Sequence, residues 1–165
     1  MKKRIYLAAP LFSDAEKMFN LYLKEKLSEH FEVYLPQEDG LLMVDLANKG
    51  VPFDKASKMI FDEDINAINK SDILLIVLDG RTIDEGAAVE LGYAYSVGKQ
   101  CIGFSTDPRT LLPNGHNPMV TCCMDAVFSN VQELFEFYLN KKDGICHANR
   151  FNFLRFEEKK VAVNG

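Results

Sequence analysis

Two rhythms of apolar residues alternate along the chain, a short one that fits strands and a longer one that fits helices. Residues 4–9 form an apolar run stopped by Pro10, as a strand running into a loop does. Ser13 then offers a helix cap, with Glu16 three residues later to complete a capping box, and Phe19, Leu23 and Leu27 recur at helical spacing. Residues 31–35 read as a second strand ended by Pro36, and 37–53, with two glycines and a proline, as a long mobile loop. A helix is expected over 56–69, with Met59, Ile60, Ile65 and Ile68 as its apolar set. Residues 72–78, DILLIVL, are the most continuous apolar run and suit a central parallel strand buried on both faces. A glycine turn leads to a helix over 84–97, then a fourth strand over 100–105. A second long loop over 106–124 holds Pro108, Pro113 and Pro118; a short strand at 126–128 and a helix at 131–139 follow. The tail from 141 carries Phe151, Phe153 and Phe156 with weak periodicity.

Strands alternating with helices imply an α/β fold, a doubly wound five-stranded parallel sheet with right-handed crossovers. The expected strand order is 2-1-3-4-5, in a single domain over 1–165. The topological switch then lies between the first and third strands, and ligands of such sheets bind at the carboxyl ends there. Residues 8–12 and 79–90 are therefore the segments where chemistry is expected.

Composition narrows the ligand. Lys and Arg total 19 against 24 Asp and Glu, a net charge of −5, and no basic block interrupts the chain. A nucleic-acid partner is not expected, whereas a neutral nucleoside is compatible. No apolar stretch approaches membrane-spanning length, and the start shows no secretory leader, so a cytoplasmic protein is expected. The cysteines at 101, 122, 123 and 146 form no CxxC pair and read as reduced structural thiols, and no metal set is completed around them.

Glu90 is the chemically odd residue. From Gly86 to Tyr95 the expected helix is apolar or small on every side except at Glu90. A helix apolar all round is normally buried, and a buried carboxylate is costly unless paired or used. A glutamate at the rim, in water, would show the same local sequence. Asp84 stands six residues earlier, where a helix cap is expected, and a purely structural cap explains it equally well. Gly80 and Gly86 allow the backbone close to a ligand, but GRTIDEG lacks the dinucleotide and P-loop patterns. The acids at 79, 84 and 85 would also repel a phosphate. Asp64 lies on an acidic helix face of the kind usually solvated. Tyr6 and Phe12 flank the end of the first strand, and either suits a core as well as a site.

Taken together, IYLAAPLF at 5–12, Asp64 with Ser71-Asp72-Ile73, and DEGAAVELGYAYSVGK at 84–99 resemble the nucleoside 2-deoxyribosyltransferase family. Asn117-Pro118-Met119 is similar to that family's Asn-x-Met segment, and Arg150-Phe151-Asn152-Phe153 to the ending of some members. The resemblance implies a flavodoxin-like fold and transfer of 2-deoxyribose between purine or pyrimidine bases, with deoxynucleosides and free bases as partners and no cofactor. By motif, Glu90 matches the nucleophile, Tyr6 the residue that holds it, and Asp64 the acid that handles the base's proton. Asp84 matches a ligand of the sugar's 5′-hydroxyl, and Asn117 a residue reaching that hydroxyl from a neighbouring subunit. Phe12, Gly86, Ala87 and Met119 are the remaining substrate-binding candidates, Phe12 against the base. A homo-oligomer built on dimers, up to a hexamer, with shared sites is implied, as is a role in nucleoside salvage.

The chain departs from the family at two places. Ala87 stands where many members carry a hydroxyl residue, and about a dozen residues continue past Phe153, where some members end in a carboxylate beside the base. The 141–165 tail is thus a candidate contributor to the base pocket. Two rival functions share the fold: an N-glycosidase of nucleoside 5′-monophosphates, and a nucleotide-binding module without turnover.

Overall fold

Strand alternation divides the molecule into two apolar layers around one sheet. The computed structural model describes residues 2–107 and 117–139. Strand β1 (Arg4–Ala8) lies between β2 (Glu32–Tyr34) and β3 (Ile73–Val77); β4 (Gln100–Phe104) and β5 (Ala126–Phe128) complete the order β2-β1-β3-β4-β5. Every pairing is parallel, with Tyr6 opposite both Tyr34 and Leu74. All five residues of β3 are buried, as its unbroken apolar run requires.

On one face Ile5, Leu7, Ile73, Leu75 and Val77 pack under α1 (Asp14–Ser28) and α7 (Val131–Leu139). On the other, Tyr6, Ala8, Leu74, Ile76 and Leu78 pack under α4 (Phe53–Lys70) and α5 (Glu85–Ser96). The capping box of α1 is formed as expected, Ser13 accepting from the Glu16 amide and the Glu16 side chain accepting from the Ser13 amide. In β4, Gly103 is required by close approach: a Cβ there would sit 2.6 Å from Val127 Cγ2 and 2.7 Å from Met124 Sδ.

The structure corrects the reading of 37–53 as a long mobile loop. Helices α2 (Pro36–Asp39) and α3 (Met43–Asn48) occupy much of it. Pro36 does end the strand, but its fixed φ also suits the first turn of a helix. Asp39 accepts from the Leu35 amide at 2.8 Å and takes an ion pair from Lys24, while Leu46 anchors α3 in the core. Helix α4 starts earlier than expected because Pro52 serves as its N-cap.

The expectation that α5 is buried all round also fails. Ala87, Leu91 and Ala94 face the sheet, whereas Val89 and Tyr95 are 67% and 45% exposed. Of the second expected loop, 108–116 lies outside the described residues, as does the tail, and helix α6 (Pro118–Thr121) forms within the remainder.

Candidate active site

Parallel pairing carries Tyr6 to the middle of β1 with its side chain on the α4/α5 face, fully buried. Above it, α5 begins at Asp84, whose side chain accepts the Ala87 amide at 2.8 Å and so satisfies an otherwise orphan donor. That cap fixes the phase of the helix. Ala87 and Leu91 point into the core, and Glu90, beside them on the helix, is half-buried. There the Tyr6 hydroxyl donates to Glu90 Oε1 at 2.6 Å, a short charge-assisted bond when the carboxyl is ionised. The third acid, Asp64, enters from α4, close enough for its charge to act on the Tyr6 phenol.

A cleft of about 430 Å³ opens between α4 and α5, and Asp64 and Glu90 both line it. Phe61, Ile65, Val89 and Tyr93 make its other walls largely apolar, and Gly86 lies at its rim. Flat apolar walls with a few convergent polar groups describe a small-molecule site rather than a solvated helix face.

Burial raises both carboxyls above their ordinary range. Glu90 is pushed up to about 8 by burial; the Tyr6 hydrogen bond opposes this, and the charges of Asp64 and Asp84 add to it. Asp64 is pushed up to about 6 by burial, with the nearby Tyr6 hydroxyl opposing and Glu63 adding. Burial and both acids hold the Tyr6 phenol far above its usual value, so it remains a donor. Near neutrality the pair therefore holds one proton, mainly on Glu90, the acid with the higher value. A pair so poised can carry a nucleophile and an acid together.

Of the candidate site residues, Tyr6, Asp64, Asp84, Gly86 and Glu90 are brought to one place. Ala87 is present through its main chain: its amide binds Asp84, while its methyl is buried in the core rather than turned into the cleft. Phe12, Asn117 and Met119 stand apart from the cleft in the single chain. Phe12 and Met119 are 78% and 80% exposed, and Asn117, also exposed, accepts the Met119 amide at 2.9 Å as the cap of α6. Sequence reasoning missed Phe61 and Tyr93 as walls and Tyr34 as the ring stacked on Tyr6, centroids 5.5 Å apart. The Tyr34 stack follows from a strand register that no local sequence signal encodes.

Comparison with known proteins identifies the family. A nucleoside deoxyribosyltransferase of Lactobacillus leichmannii is 32% identical over 107 aligned residues, covering 59% of this chain and 67% of the relative. The structure of a 2-deoxyribosyltransferase from Bacillus psychrosaccharolyticus superposes with a TM-score of 0.67 at 26% identity, covering 79% of this chain and 89% of the other. A conserved protein of Enterococcus faecalis gives the same TM-score at 28% identity, over 86% of this chain and all of that one. The family model for nucleoside 2-deoxyribosyltransferases matches residues 5–153, a span that contains the sheet but for Arg4 and the three acids lining the cleft, Asp64, Glu85 and Glu90. The chain belongs to the nucleoside 2-deoxyribosyltransferase family, and it is an enzyme of the pentosyl-transferring kind.

Proposed function

We propose that this chain moves 2-deoxyribose between nucleobases through a covalent deoxyribosyl intermediate on Glu90. The observation that carries this reading is the Tyr6–Glu90 hydrogen bond beside a second raised carboxyl, Asp64, in one apolar cleft. Glu90 attacks C1′ as the bond from C1′ to the base nitrogen breaks, and Asp64 gives the departing base its proton. An incoming base then attacks C1′ and loses its proton to Asp64, releasing Glu90. Tyr6 keeps the Glu90 carboxylate oriented and stabilises its charge by donation. Asp84 accepts from the 5′-hydroxyl with its remaining acceptor capacity. Gly86, at the cleft rim, leaves room for the sugar, since even a Cβ there would lie 3.1 Å from Asp84 Oδ2.

The site is completed by a second copy of the chain. Asn117 and Met119 are exposed on α6, and the outer face of α5 presents Val89 and Tyr95, which suits contact with a neighbour. In that assembly Asn117 of the neighbour reaches the 5′-hydroxyl and Phe12 closes on the base. Among the described residues no helix is long and apolar enough to cross a membrane. Salvage of deoxynucleosides in the cytoplasm is the setting that fits this chemistry.

Incubation with thymidine or deoxyinosine plus free adenine should yield deoxyadenosine. Mass spectrometry of the quenched protein should find a deoxyribosyl adduct on the peptide holding Glu90. Release of free deoxyribose with no exchange, or faster turnover of a 5′-monophosphate, would replace the transferase by a hydrolase.

A further inference from the structure

Helices α4 and α5 both run from the carboxyl edge of the sheet toward its amino edge, since α4 leads into β3 and α5 leaves it. The cleft is the seam between them: Asp64, Ile65 and Ile68 line it from α4, and Val89, Glu90 and Tyr93 from α5. At its amino-edge end the seam is closed by hydrogen bonds. The Tyr93 hydroxyl donates to Asn69 Oδ1 at 3.0 Å, and Lys99 Nζ donates to the Asn69 carbonyl at 2.6 Å. Among the described residues the first is the one side-chain hydrogen bond that joins α4 to α5. The second comes from just beyond α5 and satisfies a carbonyl in the last turn of α4, which lacks a partner within its own helix.

This clasp lies about one turn beyond the acid pair. At about 1.5 Å per residue, Asn69 is about 7.5 Å along α4 from Asp64, and Tyr93 about 4.5 Å along α5 from Glu90. The Tyr6 hydrogen bond fixes Glu90 against β1 and leaves the placement of α4 to other contacts. At the acids themselves the two helices are parted by the cleft of about 430 Å³, so their spacing there is set where they meet, at its end. That spacing matters to the chemistry. A double displacement at C1′ needs a defined gap between its carboxyls, about 5–5.5 Å in retaining glycosidases, and a misplacement of about 1 Å can cost on the order of a hundredfold in rate.

We propose that Tyr93 is a positioning residue for the acid pair: its hydrogen bond to Asn69 holds α4 at a fixed distance from α5, and so holds Asp64 at the working distance from Glu90. The assignment rests on those two acids being the proton donor and the nucleophile of the proposed reaction. Tyr93 then has two separable parts, a ring that walls the cleft and a hydroxyl that closes the clasp. Lys99 reinforces the clasp by gripping the same residue of α4 through its main chain.

The test is Tyr93→Phe, which keeps the wall and removes the clasp. In exchange from deoxyinosine to adenine, kcat should fall about two- to tenfold with KM nearly unchanged. Asn69→Ala should lose as much, and the double variant no more than either, because both remove one contact. Asn69→Asp keeps an acceptor for the phenol and should retain the parent kcat, but it should rescue nothing when combined with Tyr93→Phe. A second readout needs no turnover. Carboxyl carbons are titrated by NMR, and the fall of the Glu90 midpoint caused by Asp64→Asn is measured with and without Tyr93→Phe. The ionised acids repel, so a released pair moves apart; a gap widening from about 5 to 6 Å should shrink that fall by about 0.4 of a pH unit at an effective dielectric near 20. An equal fall in both backgrounds, or a parental kcat in folded Tyr93→Phe protein, overturns the proposal. Absence of exchange in the parent protein would count against the transferase reading, while the titration would still decide the clasp.

Discussion

Replacing Tyr6 by phenylalanine removes one oxygen from the centre of the site and leaves the ring in its packing between Tyr34 and the sheet. The lost contact is the 2.6 Å hydrogen bond to Glu90 Oε1. A hydrogen bond to a charged group contributes about 1.5–3 kcal/mol, which corresponds to roughly one to two pKa units on the accepting carboxyl. Glu90, already near 8, should therefore titrate higher still. In the proposed mechanism the reactive form is the singly protonated pair with its proton on Asp64, the minor arrangement, since Glu90 holds the proton more tightly. Below about 6 both carboxyls hold protons and the nucleophile is lost; above about 8 both are ionised and the acid is lost. The parent enzyme should thus give a bell-shaped kcat/KM profile for base exchange. In Tyr6→Phe the alkaline limb should move upward, and the rate at its maximum should fall about 10- to 150-fold. The check is kcat/KM for transfer from deoxyinosine to adenine, followed from pH 5 to 10, with circular dichroism to confirm folding. A folded Tyr6→Phe enzyme within about threefold of the parent at every pH, its alkaline limb unmoved, would refute the role given to this bond.

Glu90→Ala and Glu90→Gln should abolish exchange while the protein stays folded, as judged by exchange assays beside thermal melts. Because Glu90 titrates higher folded than unfolded, its contribution to stability is full below its ordinary value of 4.5 and is lost as pH rises through about 8, so Glu90→Gln should raise the melting temperature at pH 9 by a few degrees and much less at pH 4.5. Mixing inactive Glu90→Ala with inactive Asn117→Ala protein should restore part of the activity if sites are shared; activity in a demonstrably monomeric preparation would rule sharing out. A 5′-phosphate placed against Asp84 would repel it by roughly 4 kcal/mol at about 4 Å and an effective dielectric near 20, so kcat/KM for deoxycytidine should exceed that for its monophosphate by about a thousandfold. Asp84→Ser should narrow that gap.

The sheet was legible because its signals are long or sharply punctuated: the unbroken 72–78 run, Pro10 at the end of β1, and the Ser13–Glu16 box. Helices α2 and α3 were hidden because four and six residues span too few turns to display a 3.6-residue period. What holds them is tertiary, namely Lys24 on Glu38 and Asp39, and Leu46 in the core. In the site, Glu90 stood out as a lone acid in a small-residue helix, although the reason given was only half right. One face of α5 is buried and the other is open, and the carboxyl lies at the border between them. Asp64 and Tyr6 had weak local signals. Their meeting depends on β1 lying beside β3 and on α4 crossing the same face, which is information of long range.

Helix α5 gathers the requirements of the proposed reaction into a few residues. Small side chains at Ala87 and Ala94 let it lie close on the sheet, and that closeness strips water from Glu90. The same desolvation that makes the carboxyl costly to ionise makes its charge effective once a substrate sits in the cleft. Asp84 joins the two ends of the problem, since it caps the helix with one oxygen and raises Glu90 through its charge. Ala87 can lack a hydroxyl without disturbing this arrangement, because the position contributes its amide to the cap and its methyl to the core. Differences in base choice between this chain and relatives with a hydroxyl there should then be sought in the cleft walls, Phe61, Ile65 and Tyr93, rather than at residue 87.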